Sequence, residues 1–298
     1  MSEISVVRGR KLRVTEDMLV GQGACSKVYA IAEDTVVKVL NLTDTAEAER
    51  EILLAKWAIK NGIPTPISYD VVDVDGHPGL VYESLGRGNL RNELKAHPER
   101  FDAVMDDYAE LLHTINSVRV DDDRFPHTSD SYRKKLEYIK DELTEAEYSR
   151  MGELLSTIPE TNGLVHGDCH IKNIRVKDGK LYLIDLDTLS RGDAIFEFSG
   201  MHCAYVGFNI LEGGEYDSFF DVPSKLLFDI MDALYARCFT GLTDAELEEN
   251  KNKISLLAYM EMVYNMKCYR EGDTKAHGLM KERFRSYLHK VDDLMLKY

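Results

Sequence analysis

Residues 164–176 read LVHGDCHIKNIRV, crowding His166, Asp168, Cys169, His170, Lys172 and Asn173 between two apolar stretches. Flanks rich in Leu, Ile and Val predict strands, so the polar residues belong to a loop held between them. Three readings compete for such a loop. His166, Cys169 and His170 could begin a zinc cluster, but such sites draw three or four N/S ligands from more than one segment. The other histidines supply no second ligand pair. A structural turn is the plain alternative. The third reading rests on the spacing Asp168-x4-Asn173, with His166 two residues before the aspartate. In a phosphoryl-transfer loop of that spacing the aspartate accepts or orients the acceptor's hydroxyl proton. The asparagine oxygen suits Mg²⁺, which prefers hard oxygen ligands.

Three other pieces fit the third reading. GQGACSKVY, residues 21–29, places Gly21, Gly23 and Ser26 where a strand–loop–strand could cover phosphates. A plain hairpin turn explains this piece equally well when it is taken alone. VVKVL places Lys38 inside an apolar strand. A buried lysine needs a partner. Glu51, beside Ile52, Leu53 and Leu54 on the next helix, faces inward better than Glu47 or Glu49. LYLIDLDT ends an apolar strand on Asp185, twelve residues after Asn173. A carboxylate there calls for a compensating cation. If that strand continued, Asp187 would point to the same side as Asp185; a cap or indirect role for Asp187 is favoured.

These residues need elements to position them. The first part is β-rich, with turns at Glu33-Asp34 and Asp75-Gly76. A helix over 44–62 opens on a capping residue and stops at Gly62, before Pro64 and Pro66. Residues 89–120 are mostly helical, with further helices near 131–143 and 145–158. A second hairpin turns at Asp178-Gly179, and nearly everything beyond Ala194 is helical. The expected fold class is α+β: a small antiparallel β lobe over 1–85, and a larger, mainly helical lobe over 86–298.

Composition narrows the partners. The 298 residues carry a net charge of -15, which disfavours nucleic acid and anionic membranes as partners. Residues 212–249 hold ten acids against two bases, Lys225 and Arg237. A solvated helical face is the simpler reading of that stretch, and a field drawing in a cationic acceptor the sharper one. Five scattered cysteines form no C-x-x-C pair, so reduced thiols are expected. The longest uncharged run, 14 residues over 198–211, falls short of the ~18 of a spanning helix. With no apolar leader at the N-terminus, a cytoplasmic protein is expected.

The order of the four pieces resembles the aminoglycoside phosphotransferase / choline kinase family, which has a protein-kinase-like bilobal fold. The carriers are His-Gly-Asp-x4-Asn (166–173), Ile-Asp-x-Asp (184–187), EREILLAKWAIKNGIPTPISY with Glu51 at the pairing position, and LLHTI from Leu111. The resemblance covers roughly residues 15–200. It implies a kinase moving the γ-phosphate of ATP or GTP to a small-molecule hydroxyl. It implies Asp168 as catalytic base, His166 as a further catalytic residue, and Asn173 and Asp185 as Mg²⁺ ligands. It also implies Lys38, paired with Glu51, on the α- and β-phosphates, beneath a cover of Gly21, Gly23 and Ser26. VYESLG resembles the hinge, where the backbone of Glu83 and Leu85 would pair with the purine edge. Tyr82 stands just before it at the gatekeeper position, where a large ring could favour GTP. The compact sequence after Asp185 weighs against a protein acceptor. A catalytically silent nucleotide-binding protein is the remaining alternative, and no key residue is lost. The acceptor, and the oligomeric state, are not set by these motifs.

Overall fold

Alternating apolar residues build β1 (Lys11–Leu12), β2 (Leu19–Gln22), β3 (Ser26–Ala32) and β4 (Thr35–Leu40), followed by helix α1 (Thr45–Lys60), β5 (Ser68–Val74) and β6 (His77–Glu83). The computed structural model describes residues 10–23, 26–41, 45–270 and 272–298. Asp44, the expected cap of α1, and Ala24 and Cys25 at the glycine loop lie outside them. The strands form one sheet in the order β1-β5-β6-β4-β3-β2. Its pairings are antiparallel except for β1, which adds a short parallel edge on β5. β4 therefore lies inside the sheet, not at its edge. The aspartates at both predicted hairpin turns, Asp75 and Asp178, take positive φ and are each followed by a positive-φ glycine, as two-residue turns of this kind require.

Strand alternation sorts the residues of β4. Val37 and Val39 join Tyr29, Val72 and Val74 in one apolar cluster. Lys38 pairs with Leu80, and Val36 with Tyr82, so these four share the opposite face. Helix α1 buries Ala48, Glu51, Ile52, Leu54, Ala55 and Ala58 and packs on β5 and β6.

The remaining elements are α2 (Leu90–Ala96), α3 (Phe101–Ser117), α4 (Thr128–Tyr138), α5 (Glu145–Ser156), β7 (Gly163–Val165), β8 (Ile174–Lys177), β9 (Lys180–Leu183) and β10 (Ser190–Gly192). Then come α6 (Ile195–His202), a π-helical turn (Cys203–Gly207), α7 (Phe208–Glu212), the short hairpin β11 (Tyr216–Asp217) and β12 (Val222–Pro223), α8 (Ser224–Cys238), α9 (Asp244–Tyr269) and α10 (Thr274–Leu288). The chain divides into two units, Met1–Glu93 with Lys172–Asp187, and Leu94–Ile171 with Thr188–Tyr298. The first thus includes the β8–β9 hairpin. In the second, α9 buries residues around its whole circumference in its central turns, from Lys253 to Met260, as a core helix does. Capping boxes at Thr144/Glu147 and Thr243/Glu246 start α5 and α9.

Candidate active site

In the first unit Lys38 is the centre. Its Nζ donates to Glu51 Oε1 at 2.9 Å and to Asp185 Oδ1 at 2.7 Å. The lysine and Glu51 side chains are nearly buried, at 14% and 7% exposed, whereas that of Asp185 is 41% exposed. Burial alone would lower the lysine's pKa, but the two carboxylates outweigh it and hold it well above its usual value. Burial pushes Glu51 upward and Lys38 pulls it back. The Tyr82 hydroxyl donates to the same Glu51 oxygen at 3.0 Å. The Tyr82 ring is thus tied to the ion pair, a link that the sequence alone did not reveal.

The β8–β9 hairpin brings Asn173 and Asp185 to one end. Ile174 pairs with Leu183, and the Ile184 N–H donates to the Asn173 carbonyl at 3.0 Å. Asp185 then takes φ +59, a left-handed conformation that aspartate tolerates better than most residues. That kink ends the strand, which stops at Leu183, and residues Leu186–Thr188 form a 3-10 turn. Asp187 therefore does not follow Asp185 along a continued strand; its carbonyl accepts from Arg50 at 2.9 Å. The Glu83 N–H donates to the Ile67 carbonyl at 2.8 Å. Its carboxylate accepts from Lys177 at 2.7 Å.

In the second unit, β7 runs into His166, Gly167 and Asp168. Gly167 takes φ +82, so the turn after His166 favours glycine. His166 is fully buried, and its Nδ1 accepts the Asp168 N–H at 3.2 Å. The Asp168 side chain is 48% exposed, with His170 Nε2 at 3.4 Å from Oδ1. Three residues support this loop from below. The Glu197 carboxylate accepts from the N–H of His166 at 2.6 Å and of Gly167 at 3.2 Å. Tyr108 donates its hydroxyl to the Cys169 carbonyl. The Tyr205 hydroxyl accepts the Ile171 N–H at 2.9 Å. Tyr205 lies in the π-helical turn, a feature frequent at functional sites.

None of these three supports was singled out in the sequence. Glu197 did carry a signal, as one acid within IFEFSGM, since a charge in an apolar helix needs partners. Its burial pushes its pKa up to about 7, against the pull of the backbone donors. Because the folded value exceeds the unfolded one, its contribution to stability is full below about 4.5 and is lost as pH rises toward 7. Glu197→Gln removes that titration and leaves one backbone N–H facing an amide donor, costing about 1–3 kcal/mol. The stability gap between wild type and variant, read by urea midpoints, will narrow from pH 5.5 to pH 8; a constant gap would contradict the account.

Among the described residues, no three His, Cys, Asp or Glu side chains gather as a metal-binding group. The Cys169 thiol is fully buried and held well above its usual pKa, chiefly by that burial; it is ill suited to ligate as thiolate. The oxygen pair at 173 and 185 suits a hard cation, which keeps several waters and needs few protein ligands. Several acids of the acidic stretch are already paired with lysines. Lys225 holds Asp229, Lys251 holds Asp232, Lys95 holds Asp221, and Lys253 and Lys297 hold Glu249. Asp217 accepts the Phe220 N–H. This pattern favours the solvated-face reading of the stretch.

The sheet, the lysine–glutamate pair and the supported Asp168 loop define a protein-kinase-like fold. The chain belongs to the phosphotransferase enzyme family, whose model matches residues 19–229. No curated protein matches it by sequence. Among solved structures it is similar to the gentamicin complex of APH(2'')-IIa, with 16% identity, 94% of this chain and 93% of that one covered, and a TM-score of 0.55. A thermostable mutant of aminoglycoside phosphotransferase APH(4)-Ia, in ternary complex with ADP and hygromycin B, matches at 12% identity, 91% and 92% coverage and TM-score 0.60. A choline/ethanolamine kinase family protein from Mesorhizobium loti matches at 13% identity, 93% and 88% coverage and TM-score 0.58. No described helix is long and apolar enough to cross a membrane.

Proposed function

We propose that the chain is a Mg²⁺-dependent kinase that transfers the terminal phosphoryl group of ATP or GTP to a hydroxyl of a small molecule. The observation that carries this is Lys38 held between Glu51 and Asp185 at 2.9 and 2.7 Å, in a chain of the phosphotransferase family. Lys38, oriented by Glu51, binds the α- and β-phosphates. Asn173 and Asp185 hold Mg²⁺, which supplies positive charge against the phosphate oxygens. Asp168 takes the acceptor's proton while the new O–P bond forms and the bond to the leaving nucleoside diphosphate breaks. His166 is buried and bonded to the Asp168 N–H, so it positions the base.

The glycine loop supports the same reading. Gly21 and Gly23 are not among the positive-φ glycines. A Cβ added at either would meet its nearest neighbour at an ordinary 3.7 Å. Internal packing does not demand glycine there, whereas close approach of backbone to phosphate does. Ser26 follows at the start of β3. The backbone of Glu83 and Leu85 receives the purine. Solved neighbours carry gentamicin and hygromycin B, and an amino-bearing alcohol is the acceptor class we favour. We place the enzyme in the cytoplasm.

Nucleotide titrations test the donor site. Wild type will bind ATP and GTP more tightly with Mg²⁺ than with chelator. Asp185→Asn will lose that difference, and Tyr82→Met will shift preference toward ATP. Mg²⁺-independent binding in wild type sinks the metal assignment, and an unchanged ATP/GTP ratio in Tyr82→Met sinks the gatekeeper role.

A further inference from the structure

The β11–β12 hairpin of the second unit carries two exposed aromatic rings at its strand and tip, Tyr216 and Phe219, 51% and 54% exposed. Its tip is pinned on several sides. Phe220 is buried, with its ring 5.5 Å from Tyr205 and 5.3 Å from His170. Asp217, also buried, accepts the Phe220 N–H at 2.7 Å. Asp221, at φ +56, is held by Lys95 at 2.7 Å and by the Tyr216 hydroxyl. This pinning fixes Phe219 edge-on to His170, ring centroids 5.8 Å apart. Nε2 of that imidazole is 3.4 Å from Asp168 Oδ1. A rigidly mounted, solvent-facing phenyl ring therefore stands one imidazole away from the base.

We propose that Phe219 is an acceptor-binding residue whose ring takes a face of polarised C–H bonds on the acceptor. Two chemistries present such a face, an alkylammonium group and a sugar ring, and both are drawn to the negative π surface. An isolated exposed phenylalanine is ordinary on a protein surface. This one differs because the tip that carries it is anchored to the support of the catalytic loop: Phe220 leans on Tyr205, which also accepts the Ile171 N–H. The inference rests on the kinase reading above for its acceptor, and its test separates the two.

Phe219→Ala is assayed with choline, kanamycin and glucose as acceptors. Its acceptor KM will rise about tenfold, with nucleotide KM and melting temperature unchanged. Phe219→Tyr will restore the wild-type value, whereas Phe219→Leu will not. In parallel, Phe219→Trp is titrated with tetramethylammonium, choline, kanamycin and glucose, subtracting the wild-type trace of Trp57. Its emission will respond to at least one, and the tetramethylammonium and glucose arms tell ammonium from sugar. Turnover with an acceptor KM indifferent to Phe219→Ala overturns the inference and leaves the kinase standing. A fluorescence response in a wild type that neither binds nucleotide nor turns over any acceptor keeps the ring's role and fails the kinase reading. No response to any probe, without an effect on KM, overturns it outright.

Discussion

Asp168→Asn will lower phosphoryl transfer by about three orders of magnitude, the size of a general-base contribution. It will leave nucleotide affinity and melting temperature near wild type. The substitution preserves side-chain volume at a position 48% exposed. The loop's backbone is held from elsewhere, by Glu197, Tyr108 and Tyr205. The backbone bond from Asp168 N–H to His166 Nδ1 does not depend on the carboxylate. On the proposed mechanism, what is lost is the site that takes the acceptor's proton. The split is diagnostic: kcat collapses while the nucleotide dissociation constant holds. A variant that retains turnover removes Asp168 from the chemistry.

Lys38→Met will act on both stability and function. It leaves Glu51, 7% exposed, and Asp185 without the cation that joins them. Breaking a buried pair by removing one partner costs roughly 3–5 kcal/mol. The exposure of Asp185 argues for about 3 here, since solvent screens that half of the arrangement. If Lys38 binds the phosphates as proposed, its loss will lower kcat/KM about a hundredfold, as one or two charge-assisted hydrogen bonds disappear. The pH dependence follows from Glu51. Burial raises its pKa already, and removing Lys38 takes away the opposing pull. Its penalty in the variant is therefore present at neutral pH and shrinks as pH falls toward the unfolded value of 4.5. Urea midpoints at pH 7.5 and pH 5 will show the gap to wild type closing in acid; a gap that widens would contradict the ion-pair account.

Much of this arrangement was legible in the sequence because it is governed by local rules. A lysine in an apolar strand demands a carboxylate, and the burial of Glu51 among Ile52 and Leu54 answers that demand. Asp-Gly pairs at 75–76 and 178–179 announce their hairpins, since few other dipeptides tolerate two positive φ values. The Asp168-x4-Asn173 spacing lies on a single loop. The supports beneath that loop were not legible. Glu197, Tyr108 and Tyr205 reach its backbone across 31, 61 and 34 residues, and side-chain-to-backbone bonds at such range leave no periodic trace. The Tyr82–Glu51 bond, between side chains 31 residues apart, is equally invisible in the sequence. The short hairpin at 216–223 was absorbed into an expected run of helices, because strands of two residues are too short to alternate. The kink at Asp185 was also hidden: the apolar run Leu181–Ile184 suggests a strand reaching the aspartate, whereas a positive φ ends it there.

The most direct test of the kinase account is mass-resolved phosphoryl transfer. Protein, Mg²⁺ and ATP or GTP are incubated with a pooled panel of amino sugars, amino alcohols and sugars, with Asp168→Asn as the blank. A phosphorylated panel member formed by wild type and absent from the blank is the predicted result. Equal product in both reactions, or a wild type that neither binds nucleotide nor forms product, would contradict it.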